Sequence, residues 1–248
     1  FPRDRAAPFM DTPAGERYTY GDVEAASARY AGLLVALGVL PGDRVAVQVE
    51  KSPQAVMLYL GALRAGAVFL PLNTAYTPPE MDYFLNDSEP RIVVCRPEDE
   101  PAIAPLADKA GAAHVLTLGA DGKGTLGDCV AAAAPLERPV PREMDDLAAI
   151  LYTSGTTGRS KGAMLTVRNL WSNAVTLRDA WGFTSDDVLL HALPIFHAHG
   201  LFVAIGCVLT SGSRMIFMPK FDADAVLDTL PRCTVMMGVP TFYTRLLA

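Results

Sequence analysis

Short apolar runs alternate with helix-like stretches along nearly the whole chain, and this alternation restricts the fold more than any other feature. Val45–Val49, Val68–Leu72, Arg91–Cys95 and His114–Leu118 read as strands, being brief, apolar and rich in β-branched residues. Between and before them lie stretches with apolar residues at helical spacing. Ala25–Leu37 stops at Gly38, and Pro53–Ala65 carries proline near its first turn and Gly66 beyond its end. Pro41-Gly-Asp43 turns the chain between those two stretches, and Pro79–Asn86 and Glu98–Ala110 extend the pattern. Continuous apolar strands separated by helices predict βαβ units, because strands buried on both faces lose the polar alternation of a half-exposed sheet.

The pattern resumes after Pro135–Asp145, a segment rich in proline and charge that reads as a linker. Strands are expected at Leu147–Tyr152, Val188–Leu190, Arg214–Met218 and Thr234–Met237. Helices are expected at Arg168–Trp181, Leu201–Thr210, Ala223–Leu230 and Pro240–Leu247. The expectation is an α/β chain of two doubly wound, mostly parallel βαβ subdomains, 1–140 and 141–248. A length of 248 residues accommodates one large domain or two modest ones. No internal repeat is visible, and the alanine run Ala131–Ala134 is the one biased tract.

A formal net charge of −6 argues against general binding to nucleic acid or an anionic membrane. It leaves room for local phosphate binding, which backbone N–H groups and one lysine can achieve. No apolar run approaches the ~20 residues of a membrane helix. Cys95, Cys129, Cys207 and Cys233 are widely spaced and form no CxxC or His/Cys metal pattern, so free thiols are expected. Phe1-Pro-Arg-Asp-Arg-Ala-Ala-Pro8 lacks the apolar region of a signal peptide, and a reducing cytoplasm is the expected setting. The missing initiator Met implies residues ahead of Phe1.

The strand expected at Leu147–Tyr152 leads into Thr153, Ser154, Gly155, Thr156, Thr157 and Gly158, then Arg159, Ser160, Lys161 and Gly162. Glycines let a backbone approach an anion and adopt positive φ, so that successive N–H groups converge on it. Hydroxyls add hydrogen bonds to phosphate oxygens, and Lys161 supplies a compact positive charge. Open α/β sheets bind ligands at the ends of their strands, where this segment falls. It is not a Walker A loop, since Ser160 precedes Lys161 and Gly162 follows it. Arg159 is left without a role. A second glycine pattern, Gly122-Lys-Gly-Thr-Leu-Gly127, fits GxGxxG but sits in a polar turn and reads as a surface loop.

The string Leu151-Tyr-Thr-Ser-Gly-Thr-Thr-Gly-Arg-Ser-Lys-Gly162 resembles the signature of the adenylate-forming superfamily: acyl-CoA synthetases, adenylation domains of peptide synthetases and luciferases. Tyr18-Thr-Tyr-Gly-Asp-Val23, Leu63-Arg-Ala-Gly-Ala-Val-Phe-Leu-Pro-Leu72 and Leu193-Pro-Ile-Phe-His-Ala-His-Gly200 resemble further elements of that superfamily, in the same order. Gly158–Leu165 and Pro194–Phe202 are most similar to malonyl-CoA synthetases. The chain departs at Ser160, where most relatives have Pro, and at Val167, where a basic residue is common.

The resemblance implies a two-step reaction. A carboxylate oxygen attacks the α-phosphorus of Mg2+-ATP, giving an acyl-adenylate and pyrophosphate. The thiol of coenzyme A, the co-substrate, then displaces AMP. Thr153, Ser154, Gly155, Thr156, Thr157, Gly158 and Lys161 are assigned by that resemblance to the departing phosphates.

His114 and His191 lie in or beside strands and read as structural. His197 and His199 flank Ala198 ahead of an apolar helix. From the residues alone they form a capping or core pair or a closely spaced metal pair, and no third ligand has suitable spacing, so no metal site is assigned. The resemblance places His197 beside the reacting carboxylate, where amino-acid-activating relatives carry Asp to meet a substrate ammonium. It leaves His199 to donate to a second carboxylate, as on malonate.

The resemblance also implies an adenine-binding segment, a Glu for Mg2+, an Asp for ribose and a lysine-bearing C-terminal domain beyond Ala248. These 248 residues alone are therefore expected to have little or no ligase activity. Two alternatives stay open: an amino-acid adenylation domain, and a noncatalytic nucleotide-binding module that kept the loop. Nothing in the sequence names a protein partner.

Overall fold

A computed structural model describes residues 2–153 and 159–248. Eleven strands are found among them: β1 (Pro8–Asp11), β2 (Arg17–Thr19), β3 (Arg44–Gln48), β4 (Val68–Pro71), β5 (Ile92–Cys95), β6 (His114–Thr117), β7 (Leu147–Thr153), β8 (Lys161–Thr166), β9 (Val188–His191), β10 (Arg214–Phe217) and β11 (Val235–Met236). They form a six-stranded sheet in the order β6-β5-β3-β4-β7-β8 and a five-stranded sheet in the order β11-β9-β10-β1-β2. The helices are α1 (Tyr20–Ala36), α2 (Pro53–Arg64), α3 (Pro78–Ser88), α4 (Glu100–Lys109), α5 (Thr125–Ala132), α6 (Val167–Trp181), α7 (Ile205–Ser211), α8 (Ala223–Thr229) and α9 (Pro240–Leu246).

One compact unit, residues 25–168, holds the six-stranded sheet. Its central strand β3 pairs in parallel with β4 on one side and β5 on the other. The chain adds β4 first, crosses to β5 and β6, then returns to lay β7 beside β4. That reversal makes the sheet doubly wound. β8 turns back antiparallel to β7. Val45, Ala46, Val68, Leu70 and all of Ile92–Cys95 are buried, which accounts for their unbroken apolar runs.

Helix α2 starts where Ser52 caps it, the hydroxyl accepting from Ala55 N–H at 3.2 Å, and Pro53 fixes the first turn. Helix α3 starts at a capping box in which Thr77 N–H donates to the Glu80 carboxylate at 2.8 Å. Met81, Phe84 and Leu85 of α3 pack with Ile103 and Ala107 of α4 against Ala46, Leu70 and Val93 of the sheet.

The other unit, residues 1–24 and 169–248, holds the five-stranded sheet. Here β9 pairs in parallel with β10 and β11, β10 pairs in parallel with β1, and β2 closes the edge antiparallel to β1. Tyr20 is fully buried, and its hydroxyl donates to the carbonyls of Val208 and Ser213 at 2.8 and 2.7 Å. Burial raises its phenol pKa above the ordinary value. Leu190, Ala192, Met218 and Val226 form a smaller core under α8 and α9.

The α/β class and the doubly wound, mostly parallel sheets match the sequence reading. The division differs from the expected boundary at residue 140, which falls inside the first of these units. Two pairings explain the shift. β7 and β8 complete the sheet begun by β3, while β1 joins β10 through Met10 opposite Met215.

Pro135–Asp145 is no free linker either. Leu136 N–H donates to Ala28 C=O at 2.8 Å and Val140 N–H to Arg64 C=O at 2.9 Å, while Arg64 donates to the carbonyls of Leu136 and Glu137. The carbonyl of Ala134 approaches Gly32 so closely that a Cβ there would lie 1.9 Å from it. The segment is a strap bound along α1 and α2.

Residues Thr125–Gly127, read as surface loop, instead open α5 after a turn at Gly122 and Gly124, both at positive φ. The departure at Val167 is accommodated at the start of α6. Val167 and Arg168 donate backbone N–H groups to Asp146 and Met144 C=O, and the Arg168 guanidinium lies 2.9 Å from the Asp145 carboxylate. The helix expected at Leu201–Thr210 begins earlier as a wide π-type turn, His199–Ala204, and becomes α-helical in α7.

Candidate functional site

In the unit built on β3, strand β7 runs from buried Ala148 and Ala149 to exposed Thr153 at its C-terminal end. β8 begins at Lys161, and the register puts Lys161 directly opposite Thr153, followed inward by Gly162 opposite Tyr152. Cross-strand partners hold their Cβ atoms about 4.5–5.5 Å apart. Thr153 and Lys161 are therefore held side by side at the loop end of the hairpin. Ser154, Gly155, Thr156, Thr157 and Gly158 lie outside the described residues. Lys161, expected in a loop, is the exposed first residue of a strand.

Both legs of this hairpin are tied to α3. The Tyr83 hydroxyl donates to the Ser160 carbonyl at 2.8 Å, and the Arg159 guanidinium lies 5.8 Å from the centre of the Tyr83 ring. On the other leg, the Tyr152 hydroxyl donates to the Asp87 carboxylate at 2.5 Å. Partial burial, with the Asp87 carboxylate adding to it, raises the Tyr152 phenol above its ordinary pKa and keeps it a donor. Tyr152 also packs on Phe84 at 4.5 Å between ring centres and, edge-on, on Tyr83 at 6.3 Å. Sequence reading missed Tyr83 and Asp87. Their links to the hairpin span 77 and 65 residues, and no local pattern announces a pairing of that range.

In the unit built on β9, the chain leaves β9 through Ala192–Ala198 and enters the π-type turn at His199. Gly200 makes that turn possible, since a Cβ there would lie 2.0 Å from Pro194 C=O. The ring of buried His191 is 2.8 Å from Gly200 C=O through Nε2 and 5.1 Å from the Phe217 ring centre, so His191 supports the turn from beneath. His197 and His199 lie together at the start of the turn. Leu201 N–H donates to His197 C=O at 3.0 Å, and the His197 ring sits 4.5 Å from that of Phe196. Although His197 as a whole is exposed, partial desolvation of its ring pushes the imidazole pKa below the usual histidine value. A neutral imidazole there can both accept and donate a hydrogen bond.

Among the described residues, no group of three or more His, Cys, Asp or Glu is arranged to hold a metal ion. All four cysteines are free, with Cys95 and Cys207 buried. No described helix is long and apolar enough to cross a membrane.

Comparison with known proteins adds a lineage to this geometry. The chain shares its fold with ATP-bound MatB from Rhodopseudomonas palustris, at a TM-score of 0.97 and 56% identity, over 100% of this chain and 49% of that one. It is 38% identical to a feruloyl-CoA synthase of Amycolatopsis over 94% of this chain and 46% of the relative. It is 34% identical to the mitochondrial malonate–CoA ligase ACSF3 of Mus musculus over 85% of this chain and 36% of the relative. The chain thus spans half or less of the length of these relatives. The model of the AMP-binding enzymes matches residues 1–248, signature strand and hairpin included, and the chain belongs to that family.

Proposed function

We propose that this chain is the ATP-phosphate-binding and acyl-recognising part of a carboxylate–CoA ligase that activates malonate or a similar short dicarboxylate. ATP, arriving as its Mg2+ complex, and coenzyme A are the co-substrates. The observation that carries the reading is the Thr153–Lys161 pairing, which puts a threonine and a lysine opposite each other at the end of a sheet strand. Between these two residues in the sequence, Ser154, Gly155, Thr156, Thr157 and Gly158 are assigned to supply further hydroxyls and backbone N–H groups. As pyrophosphate leaves the α-phosphorus, negative charge grows on its oxygens, and fixed donors already aimed there lower the barrier. The attacking carboxylate is itself anionic, so Lys161 also reduces repulsion between the reactants.

His197 is assigned to the reacting carboxylate and His199 to the second one. An imidazole at position 197, in place of an acidic residue, favours an acid without an ammonium group. Similarity to malonate–CoA ligases supports the dicarboxylate, and similarity to feruloyl-CoA synthase makes an aromatic monoacid the competitor to exclude. The reaction is assigned to the full-length protein, with little or no activity in residues 1–248 alone, and a cytoplasmic setting accords with four free cysteines. The test is acid-dependent exchange of pyrophosphate into ATP by the full-length protein, across a panel of short mono- and diacids and aromatic and long-chain monoacids. Preference for malonate or another short diacid is expected. Preference for an aromatic or long-chain monoacid would overturn the assignment.

A further inference from the structure

The two hairpin legs are tied to one helix face. Tyr83 and Asp87 stand four residues apart on α3, so their side chains project from the same side one turn apart. The first donates to the Ser160 carbonyl, immediately before Lys161, and the second accepts a hydrogen bond from the hydroxyl of Tyr152, immediately before Thr153. We propose that Tyr83 and Asp87 are positioning residues that set Thr153 and Lys161 for the triphosphate. This rests on the reading that those two residues bind the phosphates.

Packing alone would not require the hydroxyl of Tyr83. Its ring lies against Phe84 at 5.5 Å and Tyr152 at 6.3 Å between centres, and phenylalanine would fill the same space. The hydroxyl instead meets the backbone of the leg that carries the lysine, and the Arg159 guanidinium covers the ring from the same leg. Helix α3 is a firm base for such a tie. Its first turn is closed by Thr77 and Glu80, its inner face is buried through Met81, Phe84 and Leu85, and Asp82 pairs with Lys109 of α4 at 2.8 Å. Among the described residues, β8 is an edge strand whose other side has no neighbour in the sheet. The position of Lys161 therefore depends on β7 and on this tie. Displacing a phosphate donor by a fraction of an ångström weakens its hydrogen bond steeply.

The experiment uses the full-length protein and the variants Tyr83→Phe, Asp87→Ala and the double change. Tyr83→Phe should raise the KM for ATP about three- to tenfold, as expected for one hydrogen bond. The KM for the carboxylate should stay within about twofold and the melting temperature should be unchanged. Asp87→Ala, at an exposed position, should act in the same direction but less, and it tests the tie independently should Tyr83→Phe fold poorly. A second readout needs no catalysis: trypsin should cut after Arg159 and Lys161 several times faster in the variants. Unchanged ATP KM and unchanged cleavage would overturn the proposal, as would equal losses toward ATP and carboxylate with a lowered melting temperature. A wild-type protein without acid-dependent exchange would instead sink the ligase reading, while the cleavage arm would still decide whether α3 holds the hairpin.

Discussion

Thr153 and Lys161 are direct cross-strand partners at the loop end of the β7–β8 hairpin, the last pair before the connecting segment. Replacing Lys161 by Ala removes the charge and leaves the strand pairing, which is made by backbone groups. On the proposed role of Lys161, this should lower kcat/KM for ATP in the full-length protein by about 100-fold or more, the scale for losing one preorganised donor to developing charge. Lys161→Arg should recover only part of it, because a planar guanidinium cannot stand in for a compact ammonium. Steady-state kinetics with varied ATP checks both, and an alanine variant within about threefold of wild type would remove Lys161 from the mechanism.

On the proposed assignment of His197 to a substrate carboxylate, binding of a short dicarboxylate should tighten as pH falls from about 8 to 6. The sign follows from the two states of His197. Desolvation holds its free pKa below the ordinary histidine value, so the empty site is neutral near pH 7. An anion placed beside the ring raises the pKa, so binding takes up a proton between the higher bound value and the lower free value. Calorimetry in buffers of different ionisation enthalpy should register that uptake, and His197→Gln should abolish it. A pH-independent affinity in the wild type would place the carboxylate elsewhere.

Gly200→Ala should damage stability and activity together. The added methyl meets the Pro194 carbonyl, a backbone atom, at 2.0 Å, so the turn carrying His197 and His199 has to move. A cost of about 1–3 kcal/mol is expected from forced overpacking. Urea unfolding measures it, and a variant with unaltered midpoint and substrate affinity would show the turn to be more yielding than its geometry implies.

Gly32→Ala tests the strap. Its Cβ would lie 1.9 Å from Ala134 C=O, which should lift the strap off α1. Cleavage by trypsin after Arg142 should rise several-fold relative to the wild type. An unchanged digestion pattern would mean that α1 shifts instead.

The strands β3 to β6 were legible because each is a buried parallel strand, and burial on both faces leaves an apolar run with no other reading. β1 was not, since Pro8–Asp11 offers just Phe9 and Met10 and finds its partner at Met215. β8 was hidden for another reason. It is an exposed edge strand whose short apolar stretch, Ala163-Met164-Leu165, leaves Ala163 and Met164 facing solvent, and its residues do not alternate. The glycines, hydroxyls and lysine of Thr153–Lys161 carried an expectation of phosphate binding, and that assignment is a proposal. The supports were not legible, because the identity of Tyr83 or Asp87 carries no sign of which distant carbonyl or hydroxyl it will meet.

The pairing of β1 with β10 also has a consequence during synthesis. Residues 25–168 form a contiguous unit that can close once its own last strand has left the ribosome. The first hairpin must wait for Arg214–Phe217, some two hundred residues later, with Phe9 and Met10 unburied in the meantime. On a nascent chain arrested at about residue 210, with β8 clear of the ribosome and β10 not yet made, the first hairpin should be open to protease while the sheet around β3 is already protected.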